Sequence, residues 1–209
     1  MIIGVLGLIG SGKGTVSDIL VSKGFVKESF AAPVKDAVSA IFGWDRAMLE
    51  GDTTESREFR EKKDEFWSEA LGRNITPRLA LQLMGTEAGR EVFGEDVWVQ
   101  SLLRRASKNE NTVIADVRFP NEIEAIRKAG GHLVCVQRGN WPEWFAIAVA
   151  ANDPLFLHAP EAHKEMEKIG IHISEWAWAG HKDIEYLIRN DKTLEDLAEE
   201  VEKMLHCFA

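Results

Sequence analysis

The sequence predicts an α/β fold, a mostly parallel sheet flanked by helices, in a chain of 209 residues. Three observations predict it. An apolar, β-branched run over residues 2–6 passes straight into a glycine-rich segment that carries a lysine. Strand-like and helix-like patterns then alternate along the chain. A second β-branched run, Thr112-Val113-Ile114-Ala115, ends on a carboxylate, Asp116.

Residues 2–6 read as the first, buried strand. The segment after it, Gly7-Leu8-Ile9-Gly10-Ser11-Gly12-Lys13-Gly14-Thr15, reads as a P-loop that wraps phosphates. Its glycines let backbone N–H groups converge on anionic oxygens without a Cβ in the way. Lys13 adds a mobile positive charge, and the helix expected over 13–23 presents its positive end. Gly10, Ser11, Gly12, Lys13, Gly14 and Thr15 are therefore expected to hold the phosphates of ATP. The usual loop has Ser or Thr directly after the lysine, where the hydroxyl meets Mg²⁺. Here Gly14 takes that place and Thr15 follows. The G-x-x-G-x-G-K-G-T string resembles the loop of nucleoside monophosphate kinases, which implies small-molecule phosphoryl transfer.

The remaining elements follow in order. Residues 25–29 read as a short second strand, and Pro33 opens a helical pattern to about Phe42. Residues 55–70 read as a charged helix with Phe59, Phe66 and Trp67 as its apolar contacts. Thr76 is a plausible cap for a helix from Pro77, and 97–106 reads as another. The strand 112–116 is followed by a helix from Pro120 to Ala129, stopped at Gly130-Gly131, and by a strand over 132–137. Residues 139–180 break the pattern, with four of the seven tryptophans and three prolines. A last strand is expected over 183–189 and a final amphipathic helix over 193–206. With no repeat or flexible linker, the chain reads as a single domain, 1–209, with two excursions: 30–106, and a lid-like 139–180.

Composition narrows the partners. Apolar residues make up 45% and charged residues 28%, as in an ordinary soluble domain. A net charge of −9 argues against general affinity for nucleic acid or anionic membranes. No apolar run approaches the roughly 20 residues that span a bilayer, and the N-terminal run is too short for a secretory signal. Cys135 and Cys207 have neither metal nor redox spacing, which fits reduced thiols in a cytoplasmic protein. His158, His163 and His172 lack zinc spacing.

Two further sets of residues carry chemistry. Asp116 ends its strand in the position of the second nucleotide motif, where a carboxylate holds Mg²⁺ or its waters. Arg118, two residues on, shares the C-terminal edge of the sheet, where ligands of open α/β sheets bind. The competing explanation is a plain ion pair that ends a strand. Arg78, Gln82, Thr86 and Arg90 recur every four residues from Pro77, so one helical ridge could offer a phosphate two guanidiniums, an amide and a hydroxyl. A solvated helix face is the alternative. Gly85 and Gly89 favour the site, because they weaken a helix yet allow a ligand close approach.

The stretch Thr76-Pro77-Arg78, Leu81-Gln82, Gly85-Thr86-Glu87, Gly89-Arg90 and Trp98, with Asp116-Val117-Arg118-Phe119-Pro120-Asn121-Glu122 and Phe30-Ala31-Ala32-Pro33-Val34-Lys35, resembles the bacteriophage deoxynucleoside monophosphate kinases. The resemblance covers most of the chain. It implies the P-loop kinase fold and transfer of the γ-phosphate of ATP to a deoxynucleoside 5′-monophosphate, with Mg²⁺ held by Thr15 and Asp116, directly or through water. It places Lys35, Arg78, Gln82, Arg90, Trp98 and Arg118 near the monophosphate. Trp98 would stack on the base or belong to the core. The family suggests a homodimer, in the host cytoplasm if phage-encoded.

The tail is similar to two other kinase families. His172-Ile173-Ser174-Glu175, Ile188-Arg189-Asn190 and Thr193-Leu194-Glu195-Asp196-Leu197 are similar to phosphomevalonate kinases. The Ile-x-Asn element is similar to dephospho-CoA kinases and implies that Asn190 lies near the adenine of ATP. The lid-like segment has no arginine, so Arg138 at its start is the candidate for stabilising the phosphoryl group in transit, with Lys164 and Lys168 inside the segment. Other readings are a different small-acceptor kinase, of the phosphomevalonate or dephospho-CoA type, or a non-catalytic ATP-dependent binding module.

Overall fold

A computed structural model describes residues 1–208. Among them, one parallel sheet comprises β1 (Ile2–Leu6), β2 (Val26–Glu28), β3 (Thr112–Ile114), β4 (His132–Gln137) and β5 (Tyr186–Arg189), in the order β2-β3-β1-β4-β5. β1 is central. Ile2 pairs with Thr112 and Gly4 with Ile114 on one side, and Ile3 with His132 and Leu6 with Cys135 on the other. Because every pair is parallel, the segments after β1, β3, β4 and β5 all emerge at one edge.

Alternation along β1 sorts its two faces. Ile3 and Val5 pack with Val16 and Leu20 of the helix Lys13–Ser22 and with Leu197, Val201 and Met204 of the helix Leu194–Phe208. Full burial of each such side chain contributes about 1.5–3 kcal/mol. On the opposite face stands Gly4. A Cβ there would lie 2.8 Å from both Ile126 and Leu133 and 3.1 Å from Val117. The bare backbone lets the helix Pro120–Lys128 press close to β1.

The chain divides into two compact units, one of Met1–Ser29 with Leu103–Ala209, the other Phe30–Leu102. The expected boundary at 106 falls at the end of the helix Val97–Ala106, and the unit boundary falls inside that helix. The second unit is helical. Its core gathers Val38, Trp44, Leu49, Ile75 and Ala80, with Phe42, Phe59, Trp67, Leu79 and Met84 against them.

The charged segment 55–70 is two helices, Thr54–Glu61 and Glu65–Leu71, instead of the one expected. The break is at Asp64. Its carboxylate accepts from the Trp67 amide at 2.9 Å and from the Trp44 indole at 2.7 Å. A capping carboxylate tied to a buried tryptophan outweighs the helical propensity of the residues before it. The last strand is shorter than expected, Tyr186–Arg189, and the last helix longer, to Phe208.

Residues 139–180 hold the helices Trp144–Asn152 and Ala159–Ile169 and a 3₁₀ turn, Ile173–Glu175. They have a core of their own in Ala148, Ala151, Met166, Trp176 and Ala179. Asn152 fastens it by donating to the carbonyls of Trp176 (2.7 Å) and Ala179 (3.0 Å). No helix among the described residues is long and apolar enough to cross a membrane.

Candidate active site

The loop after β1 has the backbone that its sequence demands. Gly7, Gly10 and Gly12 all have positive φ, at 142°, 79° and 101°. A Cβ on Gly7 would strike the carbonyl of Val136 and approach Ser11 Oγ at 2.9 Å. Gly12 caps the helix Lys13–Ser22 without a side-chain bond, and no acid lies in the first turn. The first-turn amides and the positive end of the helix dipole are thus left for an anion. Asn190, just past β5, braces the loop from behind, with its amide donating to Ser11 O at 2.9 Å. A Cβ on Gly12 would collide with that amide.

Lys13 folds back on the loop and donates to the carbonyls of Gly7 (2.7 Å) and Leu8 (2.9 Å). Burial, and next the charge of Arg118, lower its ammonium below the ordinary value, while Glu175 and Cys135 act in the opposite sense. Thr15 is exposed, and the hydroxyl of Ser11 is buried without a hydrogen-bond partner among the described residues. The loop residues 8–11, Gln137 and Arg138 at the end of β4, and Trp141 line a cavity of about 140 Å³. Trp141 stacks on Phe145 with ring centroids 4.1 Å apart.

β3 is the neighbour of β1, so Asp116 and Arg118 emerge at the same edge as the loop. Ser29, just past β2, donates to Asp116 Oδ2 at 2.8 Å. Ser29 is itself steadied, because Arg105 donates to its carbonyl at 2.9 Å and pairs with Glu28 at 2.8 Å. Arg118 Nη1 donates to Glu175 Oε1 at 3.0 Å and to Ser174 Oγ at 3.2 Å. Its backbone amide donates to the buried Glu122 at 2.7 Å, as does that of Phe119 at 3.1 Å. Ser29 stands outside the motifs that the sequence marks, and Glu122 and Glu175 lie within two of them without an assigned role. Glu122 was findable, because a Glu at the third position of a Pro-led helix is a capping signal. Nothing local marks Ser29, which lies just past β2, and the motif around Glu175 does not show its pairing with Arg118 across 57 residues.

Lys35, Arg78, Gln82, Arg90 and Trp98 all belong to the second unit. The ridge is not continuous. The helix Pro77–Gly85 passes into a π turn, Thr86–Arg90, so the four-residue spacing fails beyond Gly85 and Arg90 turns off the line of Arg78 and Gln82. Trp98 explains the turn: its indole donates to Gly85 O at 2.8 Å, and its ring fills the space that a Cβ on Gly89 would need. Gly89 therefore admits a tryptophan rather than a ligand, whereas Gly85 has only Val34, 4.0 Å away, at its Cβ position. Trp98 is half-buried. Arg78 pairs with Glu61, and Lys35 with Glu50 at 2.5 Å. Burial works to raise the Glu50 carboxyl, but hydrogen bonds from Lys35 and Arg46 hold it below the ordinary value.

The donor set fits Mg²⁺. Among the described residues no group of three or more His, Cys, Asp or Glu could hold a metal ion. A magnesium ion that arrives with a nucleotide needs only one or two protein oxygens, the rest being phosphate and water. The exposed Thr15 and the carboxylate of Asp116 can supply them.

No family model matches the chain. Over 153 residues, 66% of this chain and 74% of the relative, it is 30% identical to a deoxynucleotide monophosphate kinase of Acanthamoeba polyphaga mimivirus. The chain belongs to the deoxynucleotide monophosphate kinase family. A 56-residue stretch of this kinase is also 46% identical to the deoxynucleoside-5′-monophosphate kinase of Escherichia phage T5, covering 26% of this chain and 22% of that protein. Among solved structures, the dephospho-CoA kinase from Campylobacter jejuni is matched over 100% of this chain and 97% of that one, at 13% identity and a TM-score of 0.44. The shikimate kinase from Aquifex aeolicus vf5 is matched over 99% and 97%, at 17% and 0.43. At such scores neither bears on what this kinase does.

Proposed function

We propose that this kinase transfers the γ-phosphate of ATP to deoxynucleoside 5′-monophosphates, giving the diphosphate and ADP, in the cytoplasm, which is the host's if the chain is phage-encoded. The observation that carries the reading is the open phosphate loop, with its uncapped helix end and Lys13, at the same sheet edge as Asp116 and Arg118. Kinship with the mimivirus protein supports the acceptor class.

In this reading the loop amides of residues 10–15 and Lys13 hold the β- and γ-phosphates. Asn190 acts there as a brace of the loop. Thr15 and Asp116 would hold Mg²⁺, which when bound neutralises charge on the phosphates. Lys35, Arg78, Gln82 and Arg90 bind the acceptor phosphate, Arg118 offsets repulsion between the two anions, and Trp98 flanks the base. An oxygen of the acceptor phosphate attacks the γ-phosphorus, the bond from that phosphorus to the β-bridging oxygen breaks, and ADP leaves. The nucleophile is already ionised, so no general base is required. Arg138, at the rim of the loop cavity, compensates charge on the oxygens in transit.

The test is ADP formation with ATP and each deoxynucleoside monophosphate in turn, with phosphomevalonate and dephospho-CoA as competing acceptors. Turnover with one or more of the deoxynucleotides is expected. Turnover with only the other acceptors, or none above the ATP-only background, rejects the proposal.

A further inference from the structure

The charge pattern around Arg118 holds an acid where a triphosphate-binding site should repel one. Glu175 sits on the 3₁₀ turn Ile173–Glu175, its side chain only 18% exposed, and pairs with Arg118 at 3.0 Å. It also lies near enough to Lys13 for its charge to act on that ammonium. The turn itself is held. Ser174 N donates to His172 Nδ1 at 3.2 Å, and Ser174 Oγ lies 2.8 Å from the same nitrogen while accepting from Arg118. The backbone of Arg118 is fixed independently by Glu122. Two cations, Lys13 and Arg118, thus repel one another, and the carboxylate of Glu175 offsets them.

We propose that Glu175 is a positioning residue for phosphoryl transfer, which aims the Arg118 guanidinium and screens it from Lys13. The inference rests on the kinase assignment above. A carboxylate beside bound phosphates opposes ground-state binding, so its contribution lies in the orientation of Arg118. A charge-assisted hydrogen bond of this kind restricts a guanidinium to one direction, whereas a neutral amide holds it weakly. Misdirection of a charge-compensating group by about 1 Å lowers turnover by up to about a hundred-fold.

The experiment is steady-state kinetics of the full chain with ATP and the best deoxynucleoside monophosphate, for the wild type, Glu175→Gln, Glu175→Asp, Ser174→Ala, Arg118→Ala and the Arg118→Ala/Glu175→Gln double variant. Glu175→Gln is expected to lower kcat about ten- to a hundred-fold, with the KM for ATP unchanged or lower because a repulsive charge is gone. Glu175→Asp should recover part of kcat. In the Arg118→Ala background, Glu175→Gln should have no further effect, since it acts through that side chain. Additive losses in the double variant, or a raised KM with unchanged kcat, would overturn the proposal. Should Glu175→Gln fail to fold, Glu175→Asp and Ser174→Ala give the same split between kcat and KM, and unchanged kcat in both overturns it equally. If the wild type turns over no deoxynucleotide, the kinase assignment itself has failed; wild-type turnover with an unaffected Glu175→Gln sinks only the role of Glu175.

Discussion

Lys13 rests on the carbonyls of its own loop, and a triphosphate must draw it off Gly7 O and Leu8 O. That exchange is isolated from the fold, because the strand, the helix and the glycine backbone are held by other residues. Lys13→Ala should therefore reduce kcat by about 10²–10³, the range for loss of one preorganised charge or donor, while circular dichroism and the melting transition stay close to wild type. The two cysteines give an independent check of burial. Cys135 lies on β4, 3% exposed, and burial pushes its thiol up to about 12. Cys207 is exposed. At pH 8 a disulfide reagent should label Cys207 within seconds to minutes and leave Cys135 unlabelled until the protein is denatured, because the thiolate is the reacting species. Rapid labelling of both thiols in the native protein would contradict this account of the sheet interior.

Elements show where local sequence decided and where packing overrode it. Glycine spacing predicts the loop backbone, and Gly7, Gly10 and Gly12 do have positive φ; the β-branched run before Asp116 predicts a strand, and β3 does neighbour β1. Two expectations of local geometry failed for physical reasons. The helix over 55–70 broke at Asp64, whose partner Trp44 is 20 residues away. The ridge from Arg78 to Arg90 was interrupted by a π turn whose cause, Trp98, lies beyond it. Neither partner can be seen in a window of one helix. The π turn gives a prediction of unusual sign. Replacing an interior helical glycine by alanine ordinarily stabilises by up to about 1 kcal/mol. Gly89→Ala should instead destabilise by about 1–3 kcal/mol, since the new Cβ meets the Trp98 ring and lies 2.8 Å from Met84 O. Chemical denaturation followed by tryptophan fluorescence would measure it. A stabilised Gly89→Ala would show that Trp98 is not packed there. In the same unit, Glu50 joins Lys35 and Arg46. Its folded carboxyl lies below the unfolded value, so its contribution is present above the unfolded pKa and is lost as pH falls through the folded one. Glu50→Gln should cost less than about 1 kcal/mol of stability at pH 7, seen as a slightly lower melting temperature, because the pair is screened by solvent. That difference should shrink below about pH 4; a difference that grows with acid would refute the assignment.

At the scale of the molecule, a net charge of −9 coexists with the proposal that Lys13, Arg118, Lys35, Arg78 and Arg90 bind phosphates. With that net charge, phosphate affinity under the proposal has to come from local cations and oriented amides and not from a general field. The two compact units make this testable without turnover. The proposed donor residues Gly10–Thr15, Asp116 and Asn190 belong to the unit of Met1–Ser29 and Leu103–Ala209. Every proposed acceptor residue except Arg118 belongs to Phe30–Leu102. A ligand at about 100 times its Kd stabilises what it binds by about 2.7 kcal/mol, which slows exchange through local opening about a hundred-fold. Hydrogen exchange with a non-hydrolysable ATP analogue should therefore slow amides of the loop and of the helix Lys13–Ser22. A deoxynucleoside monophosphate alone should slow the helices Ala32–Phe42 and Pro77–Gly85 and the π turn at Thr86–Arg90. The segment 116–118 should respond to both, because the proposal assigns Asp116 to the donor side and Arg118 to both substrates. Protection by the monophosphate confined to residues outside Phe30–Leu102 would place the acceptor elsewhere and remove Lys35, Arg78, Gln82 and Arg90 from the site, while leaving the loop and its ATP untouched.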